Sequence, residues 1–321
     1  MAQTHESGSV SDAIDAQAGI EYWNNISADE DGMLGGVPSW EGFESISRID
    51  LQGSRTFLAR LGIGTQRGRR CVKNVVDAGA GIGRITKGLL LQISDQVDVI
   101  EPVAKFTDAL HGQAGVGTIF NVGLQDWQPQ PGAEYDIIWT QWCLGHLKDA
   151  EVISYLQTCK AVLRPDSGVI VVKENISTSD VFDEEDSSVT RQDSSFRILF
   201  ERAGLRLIRT DEQRGLPEVP PVRLFPVRIV ERAWNTAARN QRGRKATRTI
   251  ARARHTTSRN AGDDRVLVGR QFACSDFYHS TLGRYRSRSM NKDVKWQVRT
   301  LAKNQIEATQ AIRRVNSTTG V

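Results

Sequence analysis

The chain has 321 residues, of which 39% are hydrophobic and 25% charged, so it can build a large core and is not disordered throughout. Its charge is divided, because residues 1–231 contain 22 Lys and Arg against 33 Asp and Glu, whereas residues 232–321 contain 20 against 5. No stretch reaches the roughly 18 apolar residues of a membrane span, and from the polar first twenty residues we expect neither a secretory signal nor a transit peptide. The four cysteines lack metal-ligand spacing, so we expect a reduced, metal-free cytoplasmic protein, with entry into the nucleus left open.

Helices are predicted at the start of the chain, before any strand. Residues 1–18 have the composition of a flexible terminus, although the apolar spacing of residues 11–26 allows an amphipathic helix with Tyr22 and Trp23 near its end. A glycine-rich turn follows at residues 31–36. The apolar spacing of residues 45–61 then predicts a second helix.

Short, continuously apolar runs alternate with helical stretches beyond residue 71. Strands of this kind are buried on both faces, as a parallel sheet covered by helices requires. We predict strands at 72–77, 97–101, 118–122, 135–139 and 168–173, with helices at 84–91, 103–112, 149–163 and 196–203. Segments 205–210 and 223–230 would close the sheet as an antiparallel edge. The sequence thus predicts an α/β fold, with a mostly parallel seven-stranded sheet, helices on both faces and an N-terminal helical extension.

The apolar periodicity ends after residue 231, and the basic residues 232–321 are poor in large apolar side chains. This composition predicts a basic, disordered tail. An arm that binds nucleic acid through its phosphates is one alternative, and a mis-predicted gene end is another. We therefore expect one folded domain at residues 19–231.

A glycine loop, VVDAGAGIGR at residues 75–84, is the most informative stretch. A hydrophobic strand ends at Asp77, and Gly79, Gly81 and Gly83 follow at alternate positions before a helix. Glycines let the backbone approach a ligand, and the helix amides attract acidic groups. The spacing is GxGxG, which differs from the GxGxxG of dinucleotide folds. A tight turn without a ligand is the alternative.

The GxGxG loop preceded by an acid resembles the signature of class I S-adenosylmethionine (SAM) methyltransferases. Longer motifs resemble one family among them, the protein α-N-terminal methyltransferases, over residues 19–228. The specific motifs are WTQWCLGHL and DEEDSSVTR, and they are joined by YW, DGMLGG, IDLQGSRTFL, GLQDW, LRPDSGVIVVKEN and GLPEVPPVRLFPVR. The resemblance implies SAM-dependent mono-, di- or trimethylation of the free α-amine of proteins that begin Xaa-Pro-Lys/Arg after loss of the initiator Met.

The resemblance also implies which residues hold the cofactor. Arg84 would bind the carboxylate of its methionine part, and Glu101, where the family often has Asp, would bind its ribose. Leu124 and Gln125 would contact the adenine. The complete predicted set is Gly79, Gly81, Gly83, Arg84, Glu101, Pro102, Val103, Leu124, Gln125 and Gln141.

For the methyl acceptor, the resemblance implies a peptide channel with acidic and aromatic walls. Its predicted residues are Trp23, Leu34, Trp142, Asn175, Asp183, Asp186, Ser188 and Phe225, the last standing where the family commonly has Tyr. Asp186 would be the first candidate for the catalytic base, with His146 sharing the proton. Taken alone, the two tryptophans could be core aromatics, His146 a structural histidine, and the acidic run a plain loop.

The expected partners are the N-terminal segments of substrate proteins, ribosomal or chromatin proteins among them, with no membrane and with nucleic acid only through the tail. Two other functions stay open. One is a class I methyltransferase for a small molecule, and the other is an inactive scaffold that binds nucleic acid. The sequence VRIVERAW, where the family has a different ending, puts the last strand and the position of Phe225 in question.

Overall fold

The computed structural model describes residues 8–39, 41, 43–214, 216 and 222–229. They all belong to the first of two units of the chain, Met1–Thr247; the second, Arg248–Val321, lies outside the described residues. The predicted tail, residues 232–321, also lies outside them. Within the described part, no helix has the length and apolar character needed to cross a membrane.

A mixed β-sheet forms the centre of the described unit. Strands β3, β2, β1, β4 and β5 lie side by side in this order and are parallel. Strand β10 pairs antiparallel with β5 and with the short edge strands β8 and β9. The strands are β1 (Val72–Ala78), β2 (Ser94–Ile100), β3 (Val116–Phe120), β4 (Ile137–Gln141), β5 (Val169–Asn175), β6 (Val181–Asp183), β7 (Ser188–Thr190), β8 (Leu205–Leu207), β9 (Asp211–Glu212) and β10 (Val222–Ile229).

The predicted fold class is confirmed, with two additions. Strand β9 joins the seven predicted strands, and β6 and β7 form a separate hairpin. The α-helices of the described residues are α1 (Ala16–Asn25), α2 (Glu30–Met33), α3 (Ile46–Arg60), α4 (Arg84–Gly88), α5 (Ala104–Thr107), α6 (Asp149–Val162) and α7 (Asp193–Arg202).

Helices cover both faces of the sheet because successive side chains of each central strand point in opposite directions. On β1, Val75 packs in a core cluster with Phe57 of α3, whereas its neighbour Val76 packs in a second cluster with Leu156 and Phe196 of α6 and α7. Both faces are therefore buried, which explains why the parallel strands are continuously apolar.

The N-terminal segment differs from the expected flexible terminus in its described part, from residue 8 onward. A 3₁₀ helix spans Val10–Ala13, and α1 begins after Asp15, whose carboxylate accepts hydrogen bonds from two amides of the first turn. Ser11 and Ile14 are buried. The backbone N–H of Asp15 also donates to Ser187 Oγ at 2.8 Å. These contacts attach α1 to the β6–β7 hairpin.

The last strand, which the unusual ending put in question, does form. Strand β10 pairs with β5 from Val222 opposite Asn175 to Val227 opposite Ile170. Phe225 is fully buried on this strand, and its ring lies 5.4 Å from that of Phe196 between centroids.

Candidate active site

A cavity opens at the carboxyl ends of β1, β2 and β4, the edge of a parallel sheet at which ligands bind in open α/β folds. It encloses about 1120 Å³ of empty space, part of it open to solvent. Helix α1 and Met33 of α2 form its outer wall, so the cavity lies between the sheet and the N-terminal helical extension.

The glycine loop after β1 forms the floor of this cavity. Gly79 and Gly81 have positive φ angles of 70° and 54°, which side-chain-bearing residues rarely adopt. A Cβ at Gly79 would lie 2.5 Å from Cys143 Cβ, and one at Gly81 would lie 2.5 Å from Met33 Sδ. Glycine is therefore required at both positions. Gly83 also has a positive φ, but it begins α4 against Leu110 and does not line the cavity.

Glu101, at the end of β2, presents a buried carboxylate to the cavity. Its Oε2 accepts a hydrogen bond from the Gly81 N–H at 2.8 Å, and its Oε1 accepts one from the Val103 N–H at 2.9 Å. Burial raises the pKa of this carboxyl, and the two amides oppose the shift. Because each oxygen accepts one of these bonds, further lone pairs remain for two hydroxyl donors such as those of a ribose.

Arg84 lines the cavity beside the glycine loop and is anchored from below by Asp50 of α3. Its Nη1 donates to Asp50 Oδ2 at 2.7 Å. Asp50 also accepts from Gln141 Nε2 and pairs with the ammonium of Lys173. Burial alone would raise the pKa of Asp50, but the cations Lys173 and Arg84 hold it below its usual value.

We call the side of the cavity that would hold the methyl donor the donor half. Its residues, all of which line the cavity, are Gly79, Gly81, Arg84, Glu101, Pro102, Val103, Leu124, Gln125 and Gln141. They fit the cofactor that the resemblance implies. The glycine floor admits a close ligand, Glu101 can accept from hydroxyls, and Arg84 offers a cation. Leu124 and Phe106 supply apolar surface for a base.

The opposite side of the cavity is aromatic. Trp23 from α1 and Trp142 and His146 from the loop after β4 line it. Trp23 Nε1 donates to His146 Nε2 at 3.0 Å, so the neutral ring of His146 carries its proton on Nδ1. Burial lowers the pKa of His146, which favours this neutral form near pH 7. Trp142 has a φ of 55° and its ring centroid lies 5.5 Å from the Arg84 guanidinium carbon.

Asp186 lies behind His146 at the turn of the β6–β7 hairpin. Burial raises its pKa, while the Ser188 hydroxyl and the nearby His146 ring oppose the shift. Three buried polar atoms on this side have no hydrogen-bond partner among the described residues, namely Asp186 Oδ1, His146 Nδ1 and Trp142 Nε1. We call Trp23, Trp142, His146, Asp186 and Ser187 the acceptor half.

Two buried charged residues hold the loop that carries Trp142 and His146. Glu174 Oε1 accepts from the backbone N–H groups of Cys143 and Leu144 at 2.9 and 3.0 Å. From the other side, Arg191 Nη1 donates to the Leu144 carbonyl at 2.8 Å, and its Nη2 reaches a further loop carbonyl. The amides and carbonyls of this loop are thus fixed by opposite charges, which explains how its left-handed residue is maintained.

Comparison with known proteins assigns this arrangement to a family. The sequence model of a family described as AdoMet-dependent proline di-methyltransferase matches residues 12–231. The chain belongs to this family. A SAM-dependent methyltransferase structure from Leishmania major is similar to it, with a TM-score of 0.59 and 32% identity over 66% of this chain and 82% of that one.

Curated relatives of this methyltransferase are also named as methyltransferases. Alpha N-terminal protein methyltransferase 1 of Schizosaccharomyces pombe is 43% identical over 215 residues, which are 65% of this chain and 92% of the relative. The Arabidopsis thaliana protein of the same name is 39% identical over 248 residues, 72% of this chain and 84% of its own. N-terminal Xaa-Pro-Lys N-methyltransferase 1 of Mus musculus is 43% identical over 205 residues, which are 61% of this chain and 87% of the relative. The predicted SAM dependence and methyltransferase class are confirmed.

The structure of the methyltransferase brings most of the predicted cofactor residues together, since only Gly83 of that set does not line the cavity. Of the predicted acceptor-side residues, Trp23, Trp142 and His146 line it, and Asp186 lies directly behind. The remaining ones do not line it. Leu34 is buried at the end of α2, Asn175 is exposed at the end of β5, Asp183 and Ser188 pair across the hairpin, and Phe225 is in the core.

The predicted place of Phe225 in the peptide channel needs a correction. Its ring has no exposed surface and packs on Phe196 and Phe200, with centroid distances of 5.4 and 5.6 Å. Its position therefore supports a packing role and not a contact with a substrate.

Several residues of the site were not singled out from the sequence. All of them lie inside or beside the quoted motifs, which was the available signal. They comprise cavity-lining residues and the buried charges that support them: Gly19, Met33, Cys143, Ser187, Asp50, Lys173, Glu174 and Arg191.

Proposed function

We propose that this methyltransferase modifies the free α-amine of proteins whose mature sequence begins Xaa-Pro-Lys or Xaa-Pro-Arg. The observation that carries the proposal is the acceptor half, where Asp186 Oδ1 and Trp142 Nε1 are buried without hydrogen-bond partners among the described residues. A buried polar atom without a partner costs about 1–3 kcal/mol, so these atoms favour a ligand that supplies hydrogen-bonding groups. The printed names of the curated relatives support the same acceptor.

Methyl transfer to an amine requires that the acceptor nitrogen is unprotonated. When bound, SAM supplies an electrophilic methyl group, and the acceptor nitrogen must offer it a free lone pair. An α-amine has a reference pKa of about 7.7–8.0, so the site must remove or exclude one proton.

Asp186 is the freer proton acceptor of the two candidates, although it lies behind His146 and does not itself line the cavity. Its Oδ1 is free, and its raised pKa brings it closer to that of an amine, which favours proton transfer. His146 Nε2 already accepts from Trp23, so this nitrogen can take a proton only after Trp23 is displaced. In our proposal, His146 holds its Nδ1 proton on the side of Asp186 and shares the charge that forms there.

The aromatic walls suit an acceptor that becomes more cationic with each methyl. Trp23 and Trp142 can hold an ammonium through cation–π attraction, which strengthens when water is excluded. Proline at position two fixes φ near −65° and has no N–H that would need a partner in a buried channel. Both properties lower the cost of placing the peptide N-terminus between the rings.

The acids of the hairpin suit the basic third residue. Burial raises the pKa of Tyr22 on α1 to about 12, and the charges of Asp186, Glu185 and Asp183 add to the shift. The negative field of these acids therefore reaches Tyr22, whose ring lies 5.4 Å from that of Trp23 in the acceptor half. Asp183 with Ser188 would pair with a Lys ammonium or Arg guanidinium in this field.

The same reasoning suggests the class of substrate protein. Residues 1–231 carry 11 more acidic than basic side chains, which attracts cationic partners. Ribosomal and chromatin proteins are basic, so those with a suitable N-terminus are the substrates that we propose, in the cytoplasm and the nucleus. A nucleic-acid contact could only come from the tail, outside the described residues.

Three hexapeptides test the proposal with labelled SAM: one beginning Ser-Pro-Lys, one beginning Ser-Gln-Lys, and an N-acetylated form of the first. We expect label on the free Ser-Pro-Lys peptide alone. Equal labelling of the glutamine peptide would refute the proline requirement, and labelling of the acetylated peptide would refute the α-amine as acceptor.

A further inference from the structure

Three ionised side chains are buried together beneath the donor half. Asp50 and Lys173 are fully buried, and the side chain of Arg84 is 8% exposed. Asp50 lies between the two cations and bonds both, while Gln141 donates to its two oxygens at 3.2 and 3.1 Å. Two cations and one anion leave this cluster with a single net positive charge.

Burial and the nearby Arg84 lower the pKa of Lys173, but the Asp50 carboxylate against its Nζ opposes the shift and favours the ammonium form, and its hydrogen-bond partners among the described residues are oxygen atoms. Ser54 Oγ and Gln213 Oε1 each lie 2.9 Å away, and the backbone carbonyl and carboxylate of Asp50 complete the set. Gln213 directs its oxygen to Lys173 because its Nε2 donates to the carbonyls of Ile49 and Arg214.

The excess charge of the cluster reaches the cavity through Arg84. Of the described residues that line the cavity, Arg84 is the one Lys or Arg, whereas Asp15, Asp77 and Glu101 are acidic. A carboxylate in this cavity is therefore attracted to Arg84 and repelled elsewhere. The Arg84 guanidinium has five N–H donors. One N–H on Nη1 bonds Asp50, so other N–H groups remain for a ligand.

We propose that Asp50 and Lys173 are positioning residues for recognition of the cofactor's carboxylate. Asp50 holds the guanidinium of Arg84 in one orientation. Lys173 neutralises Asp50, so that the charge of Arg84 is not cancelled and stays available to the ligand. Without Lys173, Asp50 and Arg84 would form a neutral pair, and a buried carboxylate would face no net positive charge. Binding of the carboxylate then makes the whole cluster neutral.

The proposal can be tested by the binding of two ligands that differ in the carboxylate alone, SAM and decarboxylated SAM. Gln213→Glu places a second carboxylate on Lys173 in an isosteric side chain, and Lys173→Met removes the ammonium. In both variants we expect calorimetry to show SAM binding weakened about tenfold, the scale of one charge-assisted hydrogen bond. Binding of decarboxylated SAM should change less than about threefold.

Asp136→Asn is the matched control, since Asp136 is also a buried carboxylate, bonded to Arg164 Nε at 3.0 Å, but does not line the cavity. It should lower the melting temperature and leave the ratio of the two dissociation constants unchanged. Equal weakening of both ligands in the variants, or no weakening of either, would overturn the proposal. If Lys173→Met does not fold, Gln213→Glu decides, because it keeps all three charged side chains.

This inference concerns the cofactor and does not rest on the acceptor proposed above. The binding measurement contains no peptide, so a failure of peptide methylation leaves its outcome untouched. Conversely, unchanged ligand selectivity would refute the role of Asp50 and Lys173 while leaving the proposed acceptor intact.

Discussion

The two halves of the cavity differ in how far their hydrogen bonds are completed within the protein. In the donor half, Glu101 accepts two hydrogen bonds from backbone amides and Gln141 bonds Asp50. Beside it, Asp77 accepts from the Thr86 hydroxyl at 2.6 Å. In the acceptor half, Asp186 Oδ1 and His146 Nδ1 are buried without partners among the described residues. The donor half is thus held in place by protein hydrogen bonds before a ligand arrives, with spare capacity at Glu101 and Arg84, whereas the acceptor half contains atoms that have no protein partner among the described residues.

The largest effect is expected from Asp186→Asn in the acceptor half. The amide is isosteric but cannot take a proton, so kcat for a Ser-Pro-Lys peptide should fall by about 100-fold or more, the range of general base catalysis. Affinity for SAM, measured by calorimetry, should stay the same because the donor half does not involve this residue.

Asp183→Asn on the same hairpin is the comparison variant. It should raise KM for the peptide and change kcat little, because Asp183 would act on the third residue and not on the amine. Loss of SAM affinity in Asp186→Asn would contradict the division into two halves.

Gly79→Ala should break the donor half instead. The added methyl would lie 2.5 Å from Cys143 Cβ at a φ of 70°, so the loop must shift and SAM affinity should fall by about tenfold. Gly112→Ala is the control, because Gly112 has a φ of 75° and nothing within 4 Å of the new Cβ. If both variants lose the same affinity, the cost is backbone strain and not closeness to the cavity.

A smaller change is expected from Trp23→Phe, which keeps an aromatic wall but removes the N–H that orients His146. One hydrogen bond is worth about 0.5–1.5 kcal/mol, so kcat/KM should fall about two- to tenfold with SAM affinity unchanged. Trp127→Phe is matched, since Trp127 is buried and its Nε1 has no partner among the described residues. A similar loss of activity in that variant would show that shrinking any buried indole lowers activity through packing, and not through the bond to His146.

The smallest expected effect concerns the stability of the loop behind the acceptor half. Burial raises the pKa of Glu174 to about 7, against about 4.3 in an unfolded chain. The folded state therefore binds this proton more tightly, and its contribution to stability is lost as the pH rises through 7. The glutamine of Glu174→Gln does not titrate. The melting temperature of this variant minus that of the wild type should therefore rise by several degrees as the pH is raised from about 5 to 8.

Glu184→Gln, at an exposed position of the hairpin, is the control for this measurement and should show no such gain. A constant difference between Glu174→Gln and the wild type across this pH range would refute a titrating Glu174.

The sheet could be predicted from the sequence because its signal is local. Segments such as residues 169–172 are apolar at every position, and this happens only where both faces of a strand are covered. The glycine loop could be located for the same reason, since its turn is encoded in consecutive residues. The predicted helix at 84–91 was less accurate, because the chain changes to a 3₁₀ helix at Leu90.

The supporting charges could not be predicted, because their partners are distant in the chain. Lys173 meets Asp50 across 123 positions, and Arg191 meets Leu144 across 47. No pattern within one segment shows such a pair. The resemblance to a family helped at the cavity wall, but it did not reveal that Phe225 is turned into the core, since that depends on the packing of α7.

Strand β10 has a practical consequence for recombinant fragments. It covers the edge of β5, the strand that carries both Lys173 and Glu174. A truncation that ends before residue 222 would leave this edge unpaired, and an uncovered edge strand invites aggregation. A fragment designed to omit the basic extension should therefore extend through Ile229 if both ligand-binding halves are to survive purification.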